Sequence, residues 1–450
     1  MENLCCLDIP FGLCHPPSEN TNMRVAVIGA GAAGLVAARE LSRAQHEVTV
    51  YEQSPNIGGI WVYQEESESD PLGQSGTRLH ASIYSSLRTN LPRDLMAFFD
   101  FPFDSSGGGS DNWLRYPGHA EVLSYLRSFA ETFGISELIC FNSKVRRVNP
   151  GDKWELSIDS KEGGRKEFFD AVVVCNGHYA APRVPELTGM SEFSGFMMHS
   201  HNYRTPEFFR NKKVAVIGTA ASGIDLTFEI ASVAQSVHWC GNNQTMRREQ
   251  TREMENIFVG GPVIALSSDG YLELYNDESI GPIECLIFAT GYHYSFPFLS
   301  NELISVNDNL VTPLYQDLLC ITEPTLALLG LPLKIIPFPI FDIQAKWFAK
   351  LLNKNFKVPP ASTMRTLQEE HIDQLKTSGV AQRNYHVLDD QFLYYDRLAL
   401  ECGEPVLPSW YRRLGEAARK HAQTSPGSFR DDFLDVHGAP SRYPRGLRNH

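Results

Sequence analysis

The chain is 450 residues long, 42% hydrophobic and 21% charged, the make-up of a globular protein too long for one ordinary core, so two or three domains are expected. A net charge of −13 argues against nucleic acid and anionic membrane as partners. The nine cysteines are scattered without a CxxC, which excludes a dithiol redox centre, argues against zinc and fits reduced thiols in a cytoplasmic protein.

Residues 1–22 read as a flexible tail, because Glu2 and Asp8 stand where a secretory signal is basic and no long apolar core follows. Cys5 and Cys6 offer acylation sites there, a reading ranked behind an unmodified tail. Residues 24–53 (RVAVIGAGAAGLVAARELSRAQHEVTVYEQ) then read as strand, glycine turn, helix and second strand. Val25, Ala26, Val27 and Ile28 form the apolar run of a parallel strand buried on both faces. The turn Gly29, Ala30, Gly31, Ala32, Ala33, Gly34 is a GxGxxG fingerprint. Its first glycine permits the turn, its second lets backbone approach a pyrophosphate, and its third lets the helix pack on the strand. The helix start offers free N–H groups to the phosphates. Glu52 falls 52 − 29 = 23 residues after the first glycine, at the end of the second strand, where a carboxylate accepts from ribose hydroxyls and repels a ribose phosphate. The ligand of this turn is therefore expected to be FAD or NAD and not NADP.

In residues 56–63 (NIGGIWVY), Gly58 and Gly59 let backbone pass close to a flat group, and Trp61 is either a ring beside it or a core tryptophan. Residues 64–76 read as a solvated acidic loop. Thr89 and Asn90 precede Pro92, so the backbone there is extended or turning. Spacing alone makes Asn90 a turn former, although its amide also suits the edge of a flavin. A helix is expected over residues 121–133, short antiparallel strands over 140–148 and 153–157, and a buried strand over 171–175.

Pro182 and Pro185 mark a boundary. Residues 213–217 form another buried strand, followed by Gly218, Thr219, Ala220, Ala221, Ser222 and Gly223 in the same turn spacing, with alanine at the central glycine position. The next strand, 236–240, ends without an acid, and Arg247 and Arg248 follow. A missing acid with arginines nearby points to a 2′-phosphate and so to NADPH, the alternative being a solvated basic patch. Residues 263–275 read as a hairpin about Asp269 and Gly270. The strand 283–289 is expected to return the chain to the first domain, and helices over 344–352 and 363–375 to close over the cofactor. The apolar stretch 326–343 is broken by three prolines and holds Lys334 and Asp342, so no membrane anchor is expected.

Phe193, Gly195, His199 and Tyr203 fit the FxGxxxHxxxY signature of the class B flavin monooxygenases, placed just before the second fingerprint as in that family. The GxGxxG of residues 29–34, the GGxW of residues 58–61, the Thr89-Asn90 pair and residues 288–292 (FATGY) resemble the family as well, over roughly residues 23–355, whereas Ala220 in the second turn departs from the family's usual glycine. SIYSSLRTNLPRDLMAFFDFPF and VCNGHYAAPRVP look like the plant enzymes that S-oxygenate thioethers, including the glucosinolate S-oxygenase group. The resemblance implies an α/β fold of two Rossmann-like dinucleotide-binding domains. The FAD domain would be discontinuous over 23–190 and 285–450, with the smaller NADPH domain, 191–284, inserted in it. It further implies that Gly29, Ala30, Gly31, Ala32, Ala33, Gly34, Glu52, Gln53, Gly59, Ile60, Trp61 and Thr89 contact FAD, with Val145 contributing backbone near the adenine and Gln344 closing over the isoalloxazine. Gly218, Thr219, Ala220, Ala221, Ser222 and Gly223 would hold NADP, and Asn90 would touch both flavin and nicotinamide. His199 then looks structural; its HxH pairing with His201 lacks a third metal ligand at sensible spacing.

In such a family NADPH reduces the flavin, O2 adds at its C4a position, and the hydroperoxide passes one oxygen to a soft nucleophile, so the cofactor carries the hard step. The expected activity is S-oxygenation of small thioethers, such as S-alkyl or S-alkenyl cysteine derivatives or methylthioalkyl conjugates. N-oxygenation of amines is the alternative within the same chemistry. Baeyer–Villiger oxidation ranks lower, since its signature carries extra residues absent here, and a non-catalytic NADPH sensor is the reading from another class.

Overall fold

The computed structural model describes residues 22–75, 79–80, 82–252 and 254–432. The tail with Cys5 and Cys6, up to residue 21, and Gly76 at the end of the acidic loop lie outside the described residues.

The opening unit forms as its apolar patterning requires. Strand β1 (Arg24–Ile28) is buried over its last four residues, α1 (Ala32–Arg43) covers it, and β2 (Glu47–Tyr51) lies parallel to it with Arg24 opposite Glu47. A single turn, α2 (Arg93–Met96), precedes α3 (His119–Thr132), which buries Val122, Tyr125, Leu126 and Phe129 on one face. Strand β3 (Ile139–Cys140) adds to β2. Strands β4 (Lys144–Asn149), β5 (Trp154–Ser160) and β6 (Gly163–Phe169) form a separate antiparallel sheet, and β7 (Ala171–Val174) comes back parallel to β1.

A second unit repeats the plan. Strand β8 (Phe196–His199) is followed by β9 (Lys213–Ile217), α4 (Ala221–Ala231), β10 (Ser236–Cys240), α5 (Gln244–Gln250) and β11 (Ile257–Gly260). The expected hairpin is present as β12 (Val263–Leu266) and β13 (Leu272–Leu274), extended by β14 (Ser279–Ile280). Strand β15 (Cys285–Phe288) then enters the second sheet between β9 and β8, giving the parallel order β11-β10-β9-β15-β8. This corrects the expectation that residues from 285 onward belong to the first unit. A strand buried on both faces reads as the same apolar run in whichever sheet it sits, so its composition carries no information about its neighbours.

The chain rejoins the first unit later. After the small hairpin of β16 (Ser305–Asn307) and β17 (Leu310–Thr312), β18 (Leu314–Tyr315), β19 (Leu319–Cys320) and β20 (Leu326–Leu328) complete a sheet ordered β18-β19-β20-β7-β1-β2-β3. Helix α6 (Pro337–Leu352) packs along α1. Its prolines stand in the first turn, where N–H groups have no helical acceptor. Arg39 of α1, 2% exposed, bonds Glu40, Asp100 and Asp342 of α6 at 2.7–2.8 Å, and Lys346 pairs with the other Asp342 oxygen at 2.8 Å, so the buried carboxylates face cations. Helices α7 (Ala361–Thr377), α8 (Gln391–Cys402) and α9 (Ser409–Thr424) follow, and a short segment to residue 432 ends the described chain. No helix among the described residues is long and apolar enough to cross a membrane.

Candidate cofactor and active site

The two glycine turns are geometric copies. A methyl on Gly29 (φ +108°) would lie 2.5 Å from the Cys175 carbonyl oxygen, and one on Gly218 (φ +136°) 2.1 Å from that of Ala289. A methyl on Gly34 would lie 1.8 Å from the Gly29 carbonyl oxygen, and one on Gly223 2.2 Å from that of Gly218. Glycine at these four positions is demanded by the protein itself, because each helix is pressed onto its strand. The central position differs. A methyl on Gly31 would meet nothing nearer than Gly59 Cα at 3.6 Å, an ordinary contact, so no atom of the chain demands glycine there. Ala220 occupies the matching place in the second turn and is exposed, as are Ala221 and Ser222.

Around the first turn, Glu52 accepts from the N–H of Ala30 (2.8 Å) and of Ser54 (2.8 Å), fixing its carboxylate at the mouth of the turn with lone pairs to spare for ribose hydroxyls. Gln53 beside it is exposed. Gly58 N–H bonds the Ala30 carbonyl (3.0 Å), so the short helix Gly59–Trp61 lies against the turn, with Ile60 half-buried and Trp61 half-buried at the edge of the main core. Val145 is buried in β4 where the pairing with β5 shifts register. Gln344, expected over a flavin ring, has its side chain wholly buried: Oε1 accepts from Gly330 N–H (2.9 Å) and Nε2 donates to the Tyr394 hydroxyl (2.8 Å). It braces the loop after β20, because α6 turns it toward the sheet.

In the second unit Arg247 is not available to a phosphate. Its guanidinium is fully buried and donates to the carbonyls of Trp239, Gly241, Asn242 and Gly260, tying the ends of β10 and β11 together; burial lowers its pKa to about 10. Four strand-end carbonyls in one place attract the nearest cation, and helix periodicity turns the next residue outward. Arg248 is exposed and free to meet an anion, with Gln244 Oε1 at 3.5 Å as its contact on the helix.

Residues 84–91 cross between the units. Tyr84 and Leu87 pack in the core of the second unit and Leu91 in the core of the first, so Thr89 and Asn90 stand at the crossing. Thr89 is buried, its N–H bonded to the Pro117 carbonyl (2.9 Å) and its hydroxyl to the Leu91 carbonyl (2.7 Å), whereas Asn90 is exposed. Helix α3 serves both pieces: His119 N–H bonds the Leu87 carbonyl (3.1 Å), its ring lies 5.3 Å from that of Tyr63, and Leu123 fills the space beside Gly58.

The segment of the FxGxxxHxxxY pattern holds the units together. His199 is wholly buried, donates from Nε2 to the Gly291 carbonyl (3.0 Å) and accepts at Nδ1 from His201 N–H (3.1 Å). Burial pushes its pKa down to about 3, so it is neutral at physiological pH. A methyl on Gly195 would lie 2.5 Å from the Phe193 ring. The acidic loop is solvated in part, with Glu65, Glu66, Ser67 and Ser69 exposed as its composition implies, but it is also tied to the protein. Arg204 donates to the carbonyls of Gln64 and Glu66, Asn202 exchanges bonds with Glu68, Asp70 and Pro71, and Glu68 is buried against His201 (3.2 Å). A charged loop is drawn inward when donors of matching geometry face it, and these lie 131–140 residues away in sequence.

A family model described as flavin-binding monooxygenase-like matches residues 22–249 and 256–412. The chain belongs to this family. The monooxygenase is 38% identical over 439 residues to the flavin-containing monooxygenase FMO GS-OX-like 3 of Arabidopsis thaliana, covering 95% of this chain and 97% of that one. It is 40% identical over 434 residues to FMO GS-OX-like 4 of the same plant, with coverage of 93% and 96%. The structure of S-allyl-L-cysteine S-oxygenase from Allium sativum superimposes with a TM-score of 0.87 at 38% identity, covering 92% of this chain and 95% of that one. This monooxygenase is therefore an NADPH-dependent flavoenzyme with FAD and NADPH as cofactors, and its two geometric copies of one anion-accepting turn fit two dinucleotides. Sequence reasoning missed Arg204, the Tyr84 anchor and the residues of the C-terminal segment that reach the same crossing. Their partners across the crossing stand 140–343 positions away, so no local signal marks them.

Proposed function

We propose that this flavin monooxygenase S-oxygenates small thioether metabolites, such as S-alkyl or S-alkenyl cysteine derivatives or methylthioalkyl conjugates, giving sulfoxides. The observation that carries this reading is the whole-chain likeness to an S-allyl-L-cysteine S-oxygenase at 38% identity. We assign FAD to the first turn, with Gly29, Ala30, Gly31, Ala32, Ala33 and Gly34 about the pyrophosphate, Glu52 and Gln53 at the ribose and adenine end, Val145 near the adenine, and Gly59, Ile60, Trp61 and Thr89 along the rest. Gly218, Thr219, Ala220, Ala221, Ser222 and Gly223 receive the NADPH pyrophosphate, and Arg248 is assigned its 2′-phosphate. The absence of a carboxylate at the end of β10, in contrast to Glu52 at the end of β2, favours this division.

When bound, the flavin takes a hydride from NADPH and activates O2, one atom going to sulfur and the other leaving as water. The chain's part is to orient the two nucleotides, exclude water and offer a hydrogen-bond donor where charge develops on oxygen. Asn90 is assigned that donor role, on the span between the two cores. The buried, reduced cysteines among the described residues (Cys175, Cys240, Cys285, Cys320, Cys402) fit a cytoplasmic location.

Incubation of the FAD-loaded enzyme with NADPH, O2 and a panel of thioethers and amines, followed by mass analysis, is expected to give thioether products heavier by one oxygen. Turnover of amines with thioethers left intact would overturn the substrate class. A second expected result concerns Ala220. Its methyl stands where the first turn keeps open space, so Ala220→Gly should lower the KM for NADPH by roughly two- to fivefold without changing FAD content. An unaltered KM would place the pyrophosphate elsewhere.

A further inference from the structure

The segment after α9 lies across the junction of the two nucleotide sites. Arg430 uses all three guanidinium nitrogens there. Nε donates to the Thr89 carbonyl at 2.9 Å, while Nη1 and Nη2 grip the carboxylate of Asp225 at 3.0 and 2.8 Å. The arrangement is reciprocated: Arg88 donates to Asp431 (2.7 Å) and to the Arg430 carbonyl (3.1 Å), and the ring of Phe429 stands edge-on to Tyr116 at 5.3 Å. The Arg430 guanidinium also lies over the Phe429 ring, 4.6 Å from its centroid, a further contact that restrains it.

Both ends of this contact matter to the chemistry. Thr89 precedes Asn90, so the carbonyl that Arg430 holds belongs to the peptide plane that aims Asn90. Asp225 lies in the second turn of α4, whose N-terminus faces the second glycine turn. An unpaired carboxylate there opposes an anion at the helix start, and the bidentate arginine cancels it. Tyr84 donates a further bond to Asp225 (2.6 Å), and Ser86 one to Glu229 on the next turn (2.6 Å).

We propose that Arg430 is a positioning residue that clamps the Asn90 span to the NADPH-binding helix. It couples nicotinamide binding to the geometry at the reacting oxygen. The proposal rests on the assignment of the second turn to NADPH and of Asn90 to the reacting oxygen.

The test compares Arg430→Met, Arg430→Lys, Asp225→Asn and the Arg430→Met/Asp225→Asn pair in FAD-loaded enzyme, measuring KM for NADPH and the fraction of oxidised NADPH recovered as hydrogen peroxide. Arg430→Met should raise the NADPH KM about tenfold and raise the peroxide fraction, at unchanged FAD content. The double variant should return the KM to within about threefold of the wild type, since no charge is left unpaired, while the peroxide fraction stays high because the Thr89 bond is still missing. Arg430→Lys should restore the KM, pairing Asp225 without reaching Thr89 in the same geometry. Wild-type KM and coupling in Arg430→Met, or no rescue by Asp225→Asn, would overturn the proposal. Loss of FAD in Arg430→Met and Arg430→Lys alike would reduce the residue to a fold contact and overturn it too. Failure of the Asn90 assignment is read separately: Asn90→Ala would then stay coupled, while the charge rescue between Arg430 and Asp225 would still register in the KM.

Discussion

Asn90→Ala is expected to bind FAD and oxidise NADPH as before, yet to deliver most of the reducing equivalents to hydrogen peroxide and little to sulfoxide. Removal of the amide leaves the backbone in place, because Thr89 is fastened through its N–H to Pro117, its hydroxyl to Leu91 and its carbonyl to Arg430. What goes is a neutral donor in a site meant to exclude water, a loss of about 1–3 kcal/mol and so roughly a five- to 150-fold change in the balance between productive and unproductive routes. The measurement is the ratio of peroxide to sulfoxide per NADPH at saturating thioether, with flavin absorbance as the check on binding. A variant that keeps wild-type coupling would remove Asn90 from the reaction.

The second large effect separates two glycines three residues apart. Gly34→Ala forces a methyl to 1.8 Å from the Gly29 carbonyl, so α1 must lift from β1. A loss of about 3 kcal/mol or more of stability is expected, with no retained flavin. Gly31→Ala places its methyl 3.6 Å from the nearest protein atom, so the apo form should melt as the wild type does, within about 0.5 kcal/mol. Its FAD should nevertheless dissociate, because the methyl stands between the backbone and the pyrophosphate, with affinity falling by roughly a hundredfold. Thermal melts with the flavin-to-protein absorbance ratio distinguish the cases. A yellow, tightly loaded Gly31→Ala enzyme would mean that FAD does not sit on this turn.

The legible parts of the chain were those written over short distances. Glycine spacing, the acid after β2, the missing acid after β10 and the hairpin about Gly270 each depend on residues within a few positions of one another, and all appear in the structure where they are expected. Arg247 shows where that ends. Its sequence neighbourhood matched a phosphate contact, but carbonyls from three separate points, Trp239, Gly241 with Asn242, and Gly260, converge on it. The burial of Glu68 within the partly exposed acidic loop has the same reason, since Arg204 and Asn202 meet it only after folding.

Local composition by itself determined that this chain carries two glycine turns of unequal central residue, on strands covered on both faces, because backbone conformation and burial are imposed within one turn or one strand. Which sheet received β15, which arginine remained free for an anion, and how Arg430 reached Thr89 and Asp225 were decided by the tertiary structure alone. Those outcomes depend on hydrogen-bond donors and acceptors that are brought together from distant positions, and a donor's partner is set by three-dimensional proximity, which linear order does not encode.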